Sequence, residues 1–318
     1  FGLMVIRPAD HGIFASSAGG GGAGSAEGGF FGGGVVSGTL KDMVDKFAFS
    51  DDSRTTLGTA LSAATKGLSA MANSGTAGYF AGGNTGSAVS TVDKYVFSTA
   101  PRTTLGTGLS AATQQLAAMA DSGTAGYTGG GYAASGVDTV DKFDFSDDSR
   151  TTLGTGLSSA RYQLGAMANS GTAGYFAGGH TGTPVNTIDK FDFSDDSSSI
   201  LGTGLSYNTQ WNAGMANSGT AGYFGGGVYG VTKLDTVDKY DFSDDSRSTL
   251  STGLSAATQM LGAMANSGTA GYFGGGTTGS PVDTVDKFAF SDDGRTTLGT
   301  GLSVAREFLA GMANSGSL

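Results

Sequence analysis

Thr139-Val-Asp-Lys-Phe-Asp-Phe145 is the stretch from which the fold of this chain can be read. Its core, Val/Ile-Asp-Lys-Phe/Tyr, returns with its aspartate at Asp45, Asp93, Asp141, Asp189, Asp238 and Asp286, at intervals of 48, 48, 48, 49 and 48 residues. Upstream of each copy an aromatic precedes a glycine pair: Phe30 before Gly33-Gly34, Tyr79 before Gly82-Gly83, Tyr127 before Gly130-Gly131, and likewise from Tyr175, Tyr223 and Tyr272. Further out, Met-Ala-(Asn/Asp)-Ser-Gly recurs from Met71, Met119, Met167, Met215, Met264 and Met312. Aromatics returning at fixed positions argue against low-complexity disorder, whose composition lacks them.

The unit around Asp141 reads as four short strands. Gln115–Ala120 is small-residue rich, Ala125–Gly129 ends in glycines, Thr139–Phe145 is β-branched and aromatic, and Arg150–Leu153 opens a fourth. Turn signals separate them at Asp121-Ser-Gly-Thr, Tyr132-Ala-Ala-Ser-Gly and Ser146-Asp-Asp-Ser. Four strands in a unit of about 40–50 residues predict a propeller blade. The expected fold is therefore all-β, a six-bladed β-propeller with four antiparallel strands per blade. The inner strand should be made of small residues because blades converge on the axis. A helix over Leu109–Ala120, favoured by its Ala and Leu content, would give a helix–strand solenoid instead.

These residues resemble the kelch repeat. Tyr79-Phe-Ala-Gly-Gly83 is similar to its second strand, and Val92-Asp-Lys-Tyr95 to its third, with Asp in place of Glu. Where that family carries Trp before the fourth strand ends, this chain carries Leu57, Leu105, Leu153, Leu201, Leu250 and Leu298, so no particular kelch activity is inherited. Ser291-Asp-Asp-Gly-Arg-Thr-Thr-Leu298 weakly resembles the sialidase Asp-box, which in that family is a structural turn. The resemblance covers residues 28–318, and nearly copied Gly-rich arrays of this kind look similar to proteins of phage and environmental bacteria.

The ends matter for closing the ring. Phe308–Gly316 reads as an inner strand lacking the rest of its blade, and the first blade begins at its second strand, so closure by residues 308–316 is preferred. In the rival reading, His11–Ser17 is the inner strand of the first blade. Residues 1–27, with Gly19-Gly-Gly-Gly22, then form a Gly-rich extension or linker that could join other subunits of a larger assembly. Phe1–Asp10 does not read as a signal peptide, and the expectation is a chain processed or incomplete at its front.

Composition narrows the function. The net charge of -10 disfavours nucleic acid, and the absence of an 18-residue apolar run argues against membrane insertion. There is no cysteine, and His11 and His180 are the only histidines, which argues against a multi-His metal centre and against the copper-radical oxidases that share this fold. Paired catalytic carboxylates are not evident, since Glu27 and Glu307 are the glutamates and most aspartates belong to the repeat. The expectation is no enzyme and no cofactor. The doublets Asp51-Asp52, Asp147-Asp148, Asp195-Asp196, Asp244-Asp245 and Asp292-Asp293 lack the spacing of a calcium loop and read better as turn chemistry. The recurrent Asp-Lys pairs read as structural, partnered between blades.

Six copies within one chain provide an internal comparison. They differ in two places: between the fourth and first strands, and after the glycine pair. In an antiparallel meander these two connections emerge on one face, and the constant connections on the other. The variable face is the candidate site. Its first set supplies Lys66, Gln114, Arg161, Tyr162, Tyr207, Gln210, Trp211, Gln259, Arg306, Glu307 and Phe308. Its second set supplies Tyr132, His180, Tyr229 and Lys233. Aromatics mixed with amide and charged side chains suit a glycan or a protein surface. The expected function is a non-enzymatic recognition module, a phage fibre or extracellular adhesin that binds host glycan or protein. The alternatives are a purely structural part of a virion or extracellular assembly, and an intracellular kelch-type adaptor.

Overall fold

The computed structural model describes residues 27–314, and these form six four-stranded antiparallel sheets with no α-helix among the described residues. The chain is a six-bladed β-propeller. The third blade has Ala117–Asp121 innermost, then Ala125–Gly129, Val140–Asp144 and Arg150–Thr152 outermost. Ala117–Asp121 lies in the stretch for which a helix was the alternative, and it is strand. Its extended backbone follows from the partners on either side rather than from the propensity of its alanines.

Ala310–Ala313 is the inner strand of the first blade. It pairs with Gly28–Gly32 in the register Phe30 opposite Met312 and Gly32 opposite Ala310, so the C-terminal strand closes the ring. The rival strand His11–Ser17 and the linker, apart from Glu27, lie outside the described residues.

Blades pack through positions that the repeat holds fixed. Met71 of the second blade is fully buried against Gly126 of the third, where a Cβ would overlap its sulfur. The same Met–Gly contact recurs at Met119 with Gly174 and at Met312 with Gly78. Burying a methionine side chain contributes about 1.5–3 kcal/mol, and only glycine leaves room for it. Beside each contact an aromatic of one blade stacks on a phenylalanine of the next, as Tyr79 does on Phe145 with ring centroids 5.1 Å apart.

The aspartate doublets divide their work. Asp147 Oδ1 accepts the Ser149 amide at 2.9 Å and caps its own turn. Asp148, with a left-handed φ of 59°, reaches the preceding blade, accepting the Tyr79 hydroxyl at 2.8 Å and the Lys94 ammonium at 2.7 Å. Asp196, Asp245, Asp293 and Asp52 make the same two contacts at the next four junctions. Burial first, then the hydrogen bond and the carboxylate charge, hold the Tyr79 hydroxyl well above its ordinary range. Among the described residues no cluster of three His, Cys, Asp or Glu could hold a metal.

The Asp of each Val-Asp-Lys motif is buried and ties down the incoming connection. Asp93 Oδ2 accepts both the amide and hydroxyl of Ser62, at 2.7 and 2.8 Å, while Oδ1 accepts Thr104 at 2.7 Å. On the face of the constant connections, the Asn/Asp-Ser-Gly turns interlock. Ser74 N donates to Ser122 Oγ at 2.8 Å and Ser122 N to Ser170 Oγ at 2.8 Å, while Gly123 N donates to Asn73 Oδ1 at 3.1 Å. That face is held constant because each turn is part of its neighbour.

Candidate functional site

The two variable sets meet residue by residue. After each glycine pair the chain makes a backbone bridge to the connection that precedes its own blade: Lys66 with Asn84, Gln114 with Tyr132, Tyr162 with His180, Gln210 with Val228, Gln259 with Thr277 and Glu307 with Val35. The glycine pair makes this possible because both members take positive φ, 66° at Gly82 and 102° at Gly83. Both sets therefore lie on one face.

On that face the side chains form two layers. The outer layer carries an aromatic row, in which Tyr132 meets Tyr162 edge-on at 5.2 Å and Tyr162 lies 5.2 Å from His180. His180 Nδ1 accepts the Gly182 amide at 3.1 Å. Tyr207 and Tyr229, both exposed, lie 5.6 Å apart. Tyr229 belongs to an added hairpin, Val228–Tyr229 with Thr232–Lys233, whose tip residue Val231 is 97% exposed. Gln114 Oε1 accepts the Asn84 amide at 3.0 Å, joining the second and third blades.

Around the axis lies a second layer built from one residue of each connection. Gly67, Gln115, Gln163, Trp211, Met260 and Phe308 all take left-handed φ, between 59° and 64°. Their backbones form a closed circle of hydrogen bonds, in which Gln115 N donates to Gly67 O at 2.6 Å, Gln163 to Gln115 at 2.8 Å and Trp211 to Gln163 at 2.7 Å. The circle continues from Met260 to Trp211 at 3.1 Å, from Phe308 to Met260 at 2.9 Å and from Gly67 back to Phe308 at 2.9 Å. Left-handed backbone at a non-glycine residue costs about 1–2 kcal/mol, and here the circle imposes it on five such residues. Their side chains line a cavity of about 80 Å³ at the mouth of the axial channel.

The mouth has two unlike halves. On one side Trp211 and Phe308 meet at 4.7 Å and 90°, with Met260 between them in the ring and the Lys66 ammonium 5.6 Å from the Phe308 centroid. On the other side Gln163 Nε2 donates to Gln115 Oε1 at 3.2 Å, and Gly67 leaves a gap.

Arg161 and Arg306, expected on this face, are not on it. Both are fully buried: Arg161 pairs with Asp189 at 2.9 Å and donates to Phe176 O, and Arg306 pairs with Asp45 at 2.8 Å and donates to Phe31 O. Burial pulls each guanidinium below its usual value, and the paired aspartate opposes that shift. Thr65, Thr113, Thr209 and Thr258 stand in the same place in the other blades, and beside Thr65, Thr113 and Thr258 small cavities of about 20–30 Å³ remain. The two arginines fill the equivalent space, so their variation reflects core packing.

Of the ring residues the sequence pointed to Trp211 and Phe308, but it pointed to Gln114, Tyr162 and Gln259 where the ring is formed by the residue after each. The signal was present in the variable dipeptides, but only the left-handed turn decides which member faces the axis. No protein-family model matches this chain, and a search of curated proteins finds no relative.

Proposed function

We propose that this propeller is a non-enzymatic recognition module that binds glycan or protein through its variable face. One observation carries this reading: positions that differ among otherwise copied blades come together on one face, bearing Tyr132, Tyr162, Tyr207, Tyr229 and Trp211. Aromatic side chains with exposed edges are strong anchors in recognition surfaces because they bury much area at little entropy loss. The opposite face has its turns locked to one another, which leaves less freedom for tuning to a ligand. The glycine pairs and the Val-Asp-Lys-Tyr-like strands support a kelch-like reading of the blades. The likeness to nearly copied phage and environmental bacterial arrays supports an extracellular or virion-associated setting.

A glycan-array screen of the full chain beside a Tyr162→Ala/Tyr229→Ala variant tests the reading. A signal that falls at least tenfold in the variant, with its thermal unfolding unchanged, is expected. Equal signals from both proteins, or none from either, count against glycan recognition by this face.

A further inference from the structure

The axial mouth contains a feature that the repeat does not explain. Beneath the ring lies a layer with Leu68, Leu116, Leu164, Leu261 and Leu309, and the sixth position is Asn212. Asn212 is only 7% exposed, and neither its Nδ2 nor its Oδ1 has a hydrogen-bond partner among the described residues. A buried amide left unpaired costs about 1–3 kcal/mol, and five leucines show that an apolar residue fits there. Asn212 lines both the mouth and the cavity of about 90 Å³ below it.

Three further observations converge on the same place. Directly above, the ring residues are all uncharged: Gly67, Gln115, Gln163, Trp211, Met260 and Phe308. The perpendicular pair Trp211 and Phe308 forms an apolar corner. Across from it, the carboxamides of Gln115 and Gln163 are already oriented by their mutual hydrogen bond. The cavity, about 80 Å³, is well below the roughly 300 Å³ of a pocket that engulfs a drug-sized ligand, so an occupant is held by one edge or face.

We infer that the axial mouth is a carbohydrate site that takes a single pyranose residue, with the sugar's C–H face on Trp211 and Phe308 and its hydroxyls on Gln115 and Gln163, the Asn212 amide beneath them joining when a side-chain rotation uncovers it. A hydroxyl both donates and accepts, and so does a carboxamide, so three amides without a formal charge match a neutral polyol. The Lys66 ammonium, 5.6 Å from the Phe308 centroid, stands beside this ring and can donate to a sugar hydroxyl. The inference rests on the recognition reading above and adds an axial subsite to the outer aromatic row.

Trp211 is the only tryptophan of the chain, so its emission reports on this mouth alone. The experiment titrates the full chain with methyl β-D-galactopyranoside, methyl α-D-mannopyranoside and N-acetyl-D-glucosamine while following that emission. A saturable change with at least one sugar is expected, weakened at least tenfold in Asn212→Leu, which restores the residue of the other blades and should fold. Gln163→Ala, which leaves the leucine layer intact, should weaken binding in the same direction. No saturable change with any of the three sugars, or affinities that both variants leave unaltered, overturns the site. A response to N-acetyl-amino-acid amides without one to sugars overturns the carbohydrate assignment. An array signal that survives Asn212→Leu but falls in Tyr162→Ala/Tyr229→Ala overturns the axial site while the recognition reading stands.

Discussion

Tyr272 of the sixth blade donates its hydroxyl to Asp52 of the first at 2.9 Å, and Lys287 meets the other oxygen of the same carboxylate at 2.7 Å. This clamp crosses into the blade that carries both the first and the last strand of the ring. Asp52→Ala leaves the Tyr272 hydroxyl without its acceptor, at a cost of about 1–3 kcal/mol. Thermal unfolding should shift down by about 2–4 °C for each kcal/mol lost. Asp51→Ala, which removes only an exposed turn cap, should shift it less.

At one junction the tyrosine and the aspartate of the clamp are both absent, while its lysine, Lys46, remains and lies 5.7 Å from the Phe30 centroid. Phe30 of the first blade replaces the tyrosine, and Ala100 of the second replaces the aspartate, while Phe30 still stacks on Phe97 with centroids 5.2 Å apart. Phe30→Tyr alone buries a hydroxyl without an acceptor and should destabilise. Phe30→Tyr with Ala100→Asp should be more stable than the two single effects summed, with a coupling of about 0.5–3 kcal/mol in a double-mutant cycle of urea midpoints. Additive effects would show that the second clamp partner does not reach across.

The buried pair Arg306–Asp45 gives an asymmetric prediction. Asp45→Ala leaves a charged guanidinium buried without its partner, at a cost of about 3–5 kcal/mol. Arg306→Thr installs the residue that other blades carry, and Asp45 keeps Thr56 and Ser303, so its cost should be clearly smaller. Urea denaturation of the two variants checks the order, and equal losses would contradict it.

Stability should fall at both ends of the pH range. Burial by itself would raise the Asp45 carboxyl, but hydrogen bonds from Thr56 and Ser303 and the charge of Arg306 hold it below its ordinary value of 3.8. Its contribution is therefore present above about pH 4 and lost as acid protonates it. Burial and the clamp aspartates raise Tyr79, Tyr127, Tyr175, Tyr223 and Tyr272, so their contribution is present below about pH 10 and lost above it. Urea midpoints measured against pH should show both limbs, and Asp45→Asn should lower the plateau and flatten the acid limb.

Much of this was legible in the residues. The period of the Val-Asp-Lys motif gave the blade count, and the alternation of turn directions gave the shared face of the variable connections. Even the missing clamp was written in the copies, because the one blade with Phe30 precedes the one blade with Ala100. It went unread because the two positions lie about 70 residues apart and nothing local links them. Arg161 and Arg306 looked like surface cations because their neighbours vary, and only the depth of the Asp189 and Asp45 carboxylates shows them buried.

The sequence by itself determined the four strands of each blade, their order and the blade count, since these depend on local patterning repeated at a fixed interval, but not the added hairpins at Val35–Val36 with Thr39–Leu40 and Val228–Tyr229 with Thr232–Lys233. Tertiary structure alone decided which member of each variable dipeptide turns toward the axis and which charges are buried. It also left the Asn212 amide unpaired beneath the mouth. The physical reason is that the axis is a place that no blade possesses alone: six connections must close one circle of hydrogen bonds, and that circle sets the direction of every side chain on it.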